Sequence, residues 1–178
     1  MHLVAAKYNF RRSICRVTQI KILMKRTILI LLVSSLLFSG IGCIKNDECQ
    51  DKTVESEQAT ILAYASANSI IGTAHSSGIY YQVISPGSGP TPSLTSQVSV
   101  RYTGKLLDGT VFDSQTGTPV SFQLGGTIPG WQIGLQLIQK GGVIKLIIPS
   151  SLAYRCSGYA GIPGNAILFF EVQLVDVL

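Results

Sequence analysis

The spacing of apolar positions divides the chain into an apolar front, a polar stretch, a short helical stretch and a long β-rich remainder. Ile28 to Phe38 is apolar but for two serines and follows Lys25 and Arg26. That is the layout of a secretory signal, and the run is too short to span a bilayer. Residues 43–58, ending in "VESEQ", are polar and acidic and read as a tether. In "ESEQATILAYASANSI" (55–70), Ile61, Leu62, Ala65 and Ser69 recur at helical spacing behind an acidic first turn. This predicts a short helical segment within 59–76, either docked on the β-rich remainder or joining two copies, with docking the simpler outcome.

From residue 77 the period changes. "IYYQVIS" (79–85) reads as a strand, and "PGSGPTPS" (86–93) as a loop. Over 97–106, Val98, Val100, Tyr102, Gly104 and Leu106 share one face while polar residues take the other, the pattern of a half-buried antiparallel strand. Further strands are predicted at 120–124, 143–149 and 166–178. Between them Trp131, Leu135 and Ile138 stand at i, i+4 and i+7 before Gly141-Gly142, giving a helix of about two turns. The expectation is an α+β domain over 77–178, a curved antiparallel sheet of five to six strands packed on one short α-helix.

The stretch "VRYTGKLLDGTVFDS" (100–114) predicts a hairpin whose register follows from burial. A two-residue turn at Asp108-Gly109 would put Phe112 on the polar face. A three-residue loop, Leu107-Asp108-Gly109, with Gly109 left-handed, pairs Leu106 with Thr110 and Phe112 with Gly104, so Phe112 joins the apolar face. Asp113 must then point away from Phe112 unless the strand breaks there, and a break at Asp113 is the expectation.

Charge changes the picture only once the front is set aside. Of 14 basic residues, 7 precede Cys43 and no acid does, so the remainder carries 7 basic against 9 acidic residues, a net −2. The overall +5 therefore describes the front and implies no nucleic-acid partner. Met24 is the expected true start, with residues 24–42 as the signal; the alternative is one basic leader over 1–42. Small residues before Cys43 resemble the lipobox of bacterial lipoproteins. That resemblance implies lipidation of Cys43 and a membrane anchor placing the protein, exported, on the envelope, at the periplasmic or surface face of the outer membrane. Cys49 and Cys156 are the remaining thiols of the mature chain. An oxidising compartment would let them pair, whereas a flexible tether around Cys49 would not favour it, so pairing stays open.

Several chemistries are excluded. The mature chain has one histidine, His75, which leaves no His/Cys metal cluster and no Ser-His-Asp triad, and no phosphate-binding glycine motif is present. Four segments, "YTGKLLDGTVFDS" (102–114), "IPGWQIGLQLIQKGG" (128–142), "IPSSLAYRCSG" (148–158) and "IPGNAILFFEVQLVDV" (162–177), together resemble the FKBP-type peptidyl-prolyl isomerases in order and spacing.

The resemblance implies proline-containing polypeptides as substrates, macrolide inhibitors as ligands and no cofactor or metal. It implies a pocket in which Asp113, Trp131 and Tyr154 are catalytic and Tyr102, Phe112, Phe122, Ile128, Ile162 and Phe170 bind substrate. In that pattern Trp131 is the floor under the proline ring, the N–H of Ile128 and the hydroxyl of Tyr154 hold substrate carbonyls, and Asp113 borders the reacting amide. Two departures, Arg155 and Gly164, fall in the loop expected to overhang the pocket. They leave a second function open, a non-catalytic binding or chaperone module for apolar or proline-containing segments. From position alone each residue also has a structural role to fill. Trp131, Phe122 and Phe170 suit a core, the tyrosines can bond to backbone, and Asp113 can cap a turn.

Overall fold

A computed structural model of the protein describes residues 49–178. The leader, Cys43 and the first tether residues lie outside the described residues. The elements are helix α1 (Val54–Ala67), strands β1 (Thr73–Ala74), β2 (Tyr80–Ser85), β3 (Gln97–Leu106) and β4 (Val111–Gln123), helix α2 (Pro129–Leu135), and strands β5 (Val143–Ile148) and β6 (Leu168–Val177). All strand pairings are antiparallel, in the order β1-β2-β5-β6-β3-β4. This is the expected α+β architecture.

The alternation along β3 resolves as anticipated: Val98 and Val100 are fully buried while Ser99 and Arg101 are less so. Helix α2 lies on that face, with Trp131 and Leu135 packed among Leu146, Ile148, Leu168 and Phe170. It begins with Pro129, whose missing N–H costs nothing at a helix start. It lies close against β5, because a Cβ at Gly130 or Gly134 would collide with the side chain of Ile148 or Leu146 respectively.

The sheet is covered on its second face as well, by the N-terminal helix that was expected to dock. Ile61 and Ala65 of α1, with Ile70 beyond it, pack on Ile147 and Phe169. These two residues alternate with Leu146, Ile148, Leu168 and Phe170 on the α2 side, so the central strands are apolar on both faces here. That explains the unbroken "LII" and "LFF" runs. Burying Ile61 completely contributes about 1.5–3 kcal/mol. Helix α1 starts earlier and stops earlier than 59–76, capped by Thr53 Oγ1, which accepts from Ser56 N at 3.3 Å. Its docking excludes the picture in which its apolar stripe serves only to join two copies.

The tether is not loose over its described part. Cys49 and Cys156 form a disulfide with Cα atoms 5.3 Å apart, closing a separation of 107 residues. In the chain-entropy view a loop that long makes the bridge worth about 4–5 kcal/mol against unfolding. Asn165 fastens the same segment, its Nδ2 donating to Gln50 O at 3.0 Å and its Oδ1 accepting from Lys52 N at 3.2 Å. The flexibility expected from the polar composition is therefore overridden by partners contributed from far along the chain.

The hairpin register is confirmed near the turn and corrected beyond it. Leu106 N donates to Thr110 O at 2.9 Å, and Gly109 takes φ +91°. Lys105 then faces Val111 but Gly104 faces Asp113, leaving Phe112 as the extra residue of a bulge. The break thus falls one residue before Asp113, and the pairing expected between Phe112 and Gly104 is replaced by Asp113 and Gly104. The bulge turns both Phe112 and Asp113 to the face of Tyr102. Further on, the strands expected at 110–114 and 120–124 are one continuous β4. It bows out after Gln115 and rejoins at Val120, the excursion held by Arg101 Nε donating to Gly117 O at 2.7 Å.

Candidate active site

Residues of β3, β4, β6 and α2, with the segments at 126–128 and 154–159, line an open cavity of about 430 Å³. Its centre is Trp131, which sits at 5% exposure on the first turn of α2. Tyr102 and Phe170 stand edge-on to the indole, with ring centroids 5.1 and 5.2 Å away and planes at 87° and 83°. Phe122 leans on it from β4 at 5.7 Å. Edge-to-face rings of this kind add about 0.5–1.5 kcal/mol per pair beyond area burial, so the rings fix one another. The indole Nε1 is buried with no hydrogen-bond partner among the described residues.

Of the nine residues expected at the pocket, seven line this cavity: Tyr102, Asp113, Phe122, Ile128, Trp131, Tyr154 and Phe170. The other two stand behind the wall. Phe112 meets Phe170 edge-on at 5.5 Å, over Gly104, and Ile162 is buried in the main core. The cavity also takes in Gly126, Thr127 and Tyr159, which sequence reasoning did not assign to a site. Tyr159 stacks on Tyr154 at 5.0 Å with planes 13° apart and is 63% exposed. It is held by a two-residue turn, Tyr159 N donating to Ile162 O at 3.0 Å and Ile162 N to Tyr159 O at 2.7 Å. An aromatic flanking an "AG" pair, three residues from a buried isoleucine, was the signal available for it.

The polar groups are few and placed by neighbouring structure. Asp113 is the wall's one acidic side chain, and its Oδ2 accepts from the Tyr102 hydroxyl at 2.6 Å. Burial, reinforced by this bond to Asp113, pushes the Tyr102 phenol far above its ordinary range. Burial likewise raises the Tyr154 phenol, helped by Tyr159 and the Asp113 charge. Both hydroxyls therefore stay protonated, and the one on Tyr154 has no hydrogen-bond partner among the described residues. Ile128 is the N-cap of α2, where backbone N–H groups are open, and its own N–H meets no acceptor among the described residues. Gln132 steadies this approach, Nε2 donating to Thr127 O at 2.7 Å and to Gly125 O at 3.1 Å. The result is an aromatic-walled hollow with two unengaged donors besides the buried indole N–H, Ile128 N–H and Tyr154 O–H, and one acidic side chain on its rim. Such a site can hold an apolar ring and two carbonyl oxygens without proton transfer.

The FKBP-type peptidyl-prolyl cis-trans isomerase profile matches residues 89–175. The solved peptidyl-prolyl cis-trans isomerase of Pseudomonas syringae superposes with a TM-score of 0.60 at 32% identity, covering 72% of this chain and 98% of that one. The chain belongs to the FKBP-type peptidyl-prolyl cis-trans isomerase family. Among its relatives, FkpA of Escherichia coli (strain K12) is 50% identical over 104 residues, 57% of this chain and 38% of FkpA. The crystal structure of the Escherichia coli FkpA superposes with a TM-score of 0.61 at 42% identity, covering 70% of this chain and 62% of that one. A probable FKBP-type isomerase of Haemophilus influenzae is 40% identical over 158 residues, 75% of this chain and 66% of the relative. The chain thus spans well under half the length of the FkpA sequence it matches.

Proposed function

We propose that the protein is a peptidyl-prolyl cis-trans isomerase that accelerates X-Pro isomerisation in exported proteins. The observation that carries this reading is the ring-fixed Trp131 under a cavity whose unengaged donors, Ile128 N–H and Tyr154 O–H, stand ready for two carbonyls. Rotation about a peptide bond faces about 18–20 kcal/mol, set by amide resonance whose charge-separated form water favours. Seating the proline ring on Trp131 removes water from the amide, raising the planar form more than the twisted, less polar transition state. Tyr154 and Ile128 orient the flanking carbonyls, and Asp113, tied to Tyr102, borders the rotating bond. Phe122 and Phe170 complete the walls, with Phe112 and Ile162 supporting them. No covalent bond forms or breaks.

Membership in the family, and the name of the Escherichia coli relative, support proline-containing chains as substrates, and the same aromatic hollow would admit a macrolide. The front of the sequence supports export and a lipid anchor on Cys43 at the envelope. Among the described residues no helix is long and apolar enough to cross a membrane. The Cys49–Cys156 bridge fits an oxidising compartment. Cis-to-trans conversion of Xaa-Pro peptides tests the activity: a parent protein that binds such peptides without turning them over would favour the binding-module alternative. Loss of fatty-acid labelling in Cys43→Ala tests the anchor, and labelling that persists refutes it.

A further inference from the structure

The loop from Ser150 to Asn165 carries Tyr154, Tyr159 and Ile162, and so forms one wall of the cavity. It is held from outside by the N-terminal segment, at both ends. Where it begins, Ser150 N donates to Glu57 Oε2 at 2.8 Å, an interaction in which both residues are buried. Two residues past Tyr154, Cys156 is bonded to Cys49, and its N–H donates to Asp51 Oδ1 at 3.0 Å. The Arg155 guanidinium lies 3.7 Å from the other Asp51 oxygen. Where the loop ends, Asn165 fastens Gln50 and Lys52 while its own N–H donates to Arg155 O at 2.7 Å.

The two departures in this loop, Arg155 and Gly164, serve the same closure. Arg155 sits at φ +53°, a conformation unusual for a side-chain-bearing residue, and its side chain is turned to Asp51 in the strap formed by residues 49–52. At Gly164 a Cβ would collide with the Cys156 carbonyl, so glycine lets the two limbs of the loop approach. Apart from the disulfide, the strap contacts at Gln50, Asp51 and Lys52 are exposed hydrogen bonds and one long ion pair, which compete poorly with water.

We propose that Cys49–Cys156 is a redox latch that seats residues 49–52 against the cavity loop and thereby positions Tyr154, closed when oxidised and released when reduced. This rests on the isomerase reading of the site. Cys49 is exposed, so an incoming thiolate can reach it. A dithiol reductant attacks Cys49 Sγ, and the Cys49–Cys156 bond breaks with Cys156 leaving as thiolate. The second thiol of the reductant then closes its own disulfide and frees Cys49. Two electrons and two protons pass from the dithiol to the pair.

The test compares the oxidised full chain, the same chain treated with dithiothreitol, and Cys49→Ser, each with Tyr154 or with Tyr154→Phe. Two readouts are taken: amide hydrogen exchange, and turnover of an Xaa-Pro peptide. Reduction is expected to speed exchange across 154–165 about tenfold while β5 and β6 keep their protection. It should lower kcat/KM about three- to tenfold, the scale of one misplaced hydrogen bond. Cys49→Ser should show the low value with or without dithiothreitol, and in Tyr154→Phe reduction should cost under about twofold, because the hydroxyl is already gone. Unchanged exchange in the loop overturns the latch, as does a penalty equally large in Tyr154→Phe, which would make the bridge a stability brace only. If the oxidised chain turns over no Xaa-Pro peptide, the isomerase reading fails, and the exchange data still decide whether the latch positions the loop.

Discussion

Gly104→Ala probes the packing that brings the bulge, the aromatic wall and the sheet together. A Cβ at this position would lie 2.7 Å from Phe112 Cζ and 2.7 Å from Phe170 Cε1. Phe170 is 4% exposed and wedged against Trp131 and Tyr102, so it has no room to retreat. Phe112, partly exposed, must swing outward and give up its edge-on contact with Phe170, worth about 0.5–1.5 kcal/mol. Crowding of this kind costs about 1–3 kcal/mol, and replacing a strand glycine by alanine returns about 0.5–1 kcal/mol in backbone entropy. The net is a destabilisation of about 1–2 kcal/mol, readable in a urea titration as a lower midpoint at unchanged slope. Because Phe170 forms part of the cavity wall, kcat/KM should fall as well. A variant within about 0.3 kcal/mol of the parent and equally active would show that Phe112 does not close over Gly104 as described.

Removing the Tyr154 hydroxyl in Tyr154→Phe should lower kcat/KM about two- to tenfold in the peptide assay with little change in Tm, the scale of one neutral hydrogen bond. Trp131→Leu keeps the site apolar but removes the flat floor, and should weaken peptide binding, followed by titration, more than it weakens the fold. Glu57→Ala leaves the buried Ser150 N–H without its acceptor and should cost about 1–3 kcal/mol in denaturation, against little for the exposed neighbour Glu55→Ala. Tyr102 and Tyr154 hold their protons above the ordinary phenol range, near 10, while the unfolded chain releases them there. Their contribution to stability is therefore full below about pH 10 and declines as pH rises beyond it, and Tm should stay level across neutral pH and drop above 10.

The sequence displayed what is local and periodic. The alternation along β3, the short helix read from Trp131 and Leu135 and the left-handed Gly109 each follow from a few neighbouring residues and are present in the structure, although α2 ends at Leu135 and leaves Ile138 beyond it. What it concealed depends on partners remote in the chain. The sequence left the pairing of Cys49 with Cys156 open, and nothing near Cys49 indicates that Asn165 will fasten the residues that follow it. Helical spacing foretold that α1 would dock but not that it would cover Ile147 and Phe169, although the unbroken apolar runs at 146–148 and 168–170 carried that information. Strict alternation puts the bulge one residue late because it makes Asp113 the misfit, whereas the strand shifts at Phe112, so that Asp113 reaches the cavity and Phe112 packs behind it on Phe170. Tyr159 escaped assignment because its exposure and its stacking on Tyr154 arise from a turn whose closure is visible only in three dimensions.

The most direct test of the central claim is the rate of cis-to-trans conversion of an Xaa-Pro peptide by the purified, oxidised protein, measured beside the double variant Tyr154→Phe, Trp131→Leu. The parent should accelerate an exchange that unaided takes tens to hundreds of seconds, and the double variant should retain little of that acceleration while remaining folded. Equal rates for parent and double variant would contradict the assignment of this cavity as the site of isomerisation.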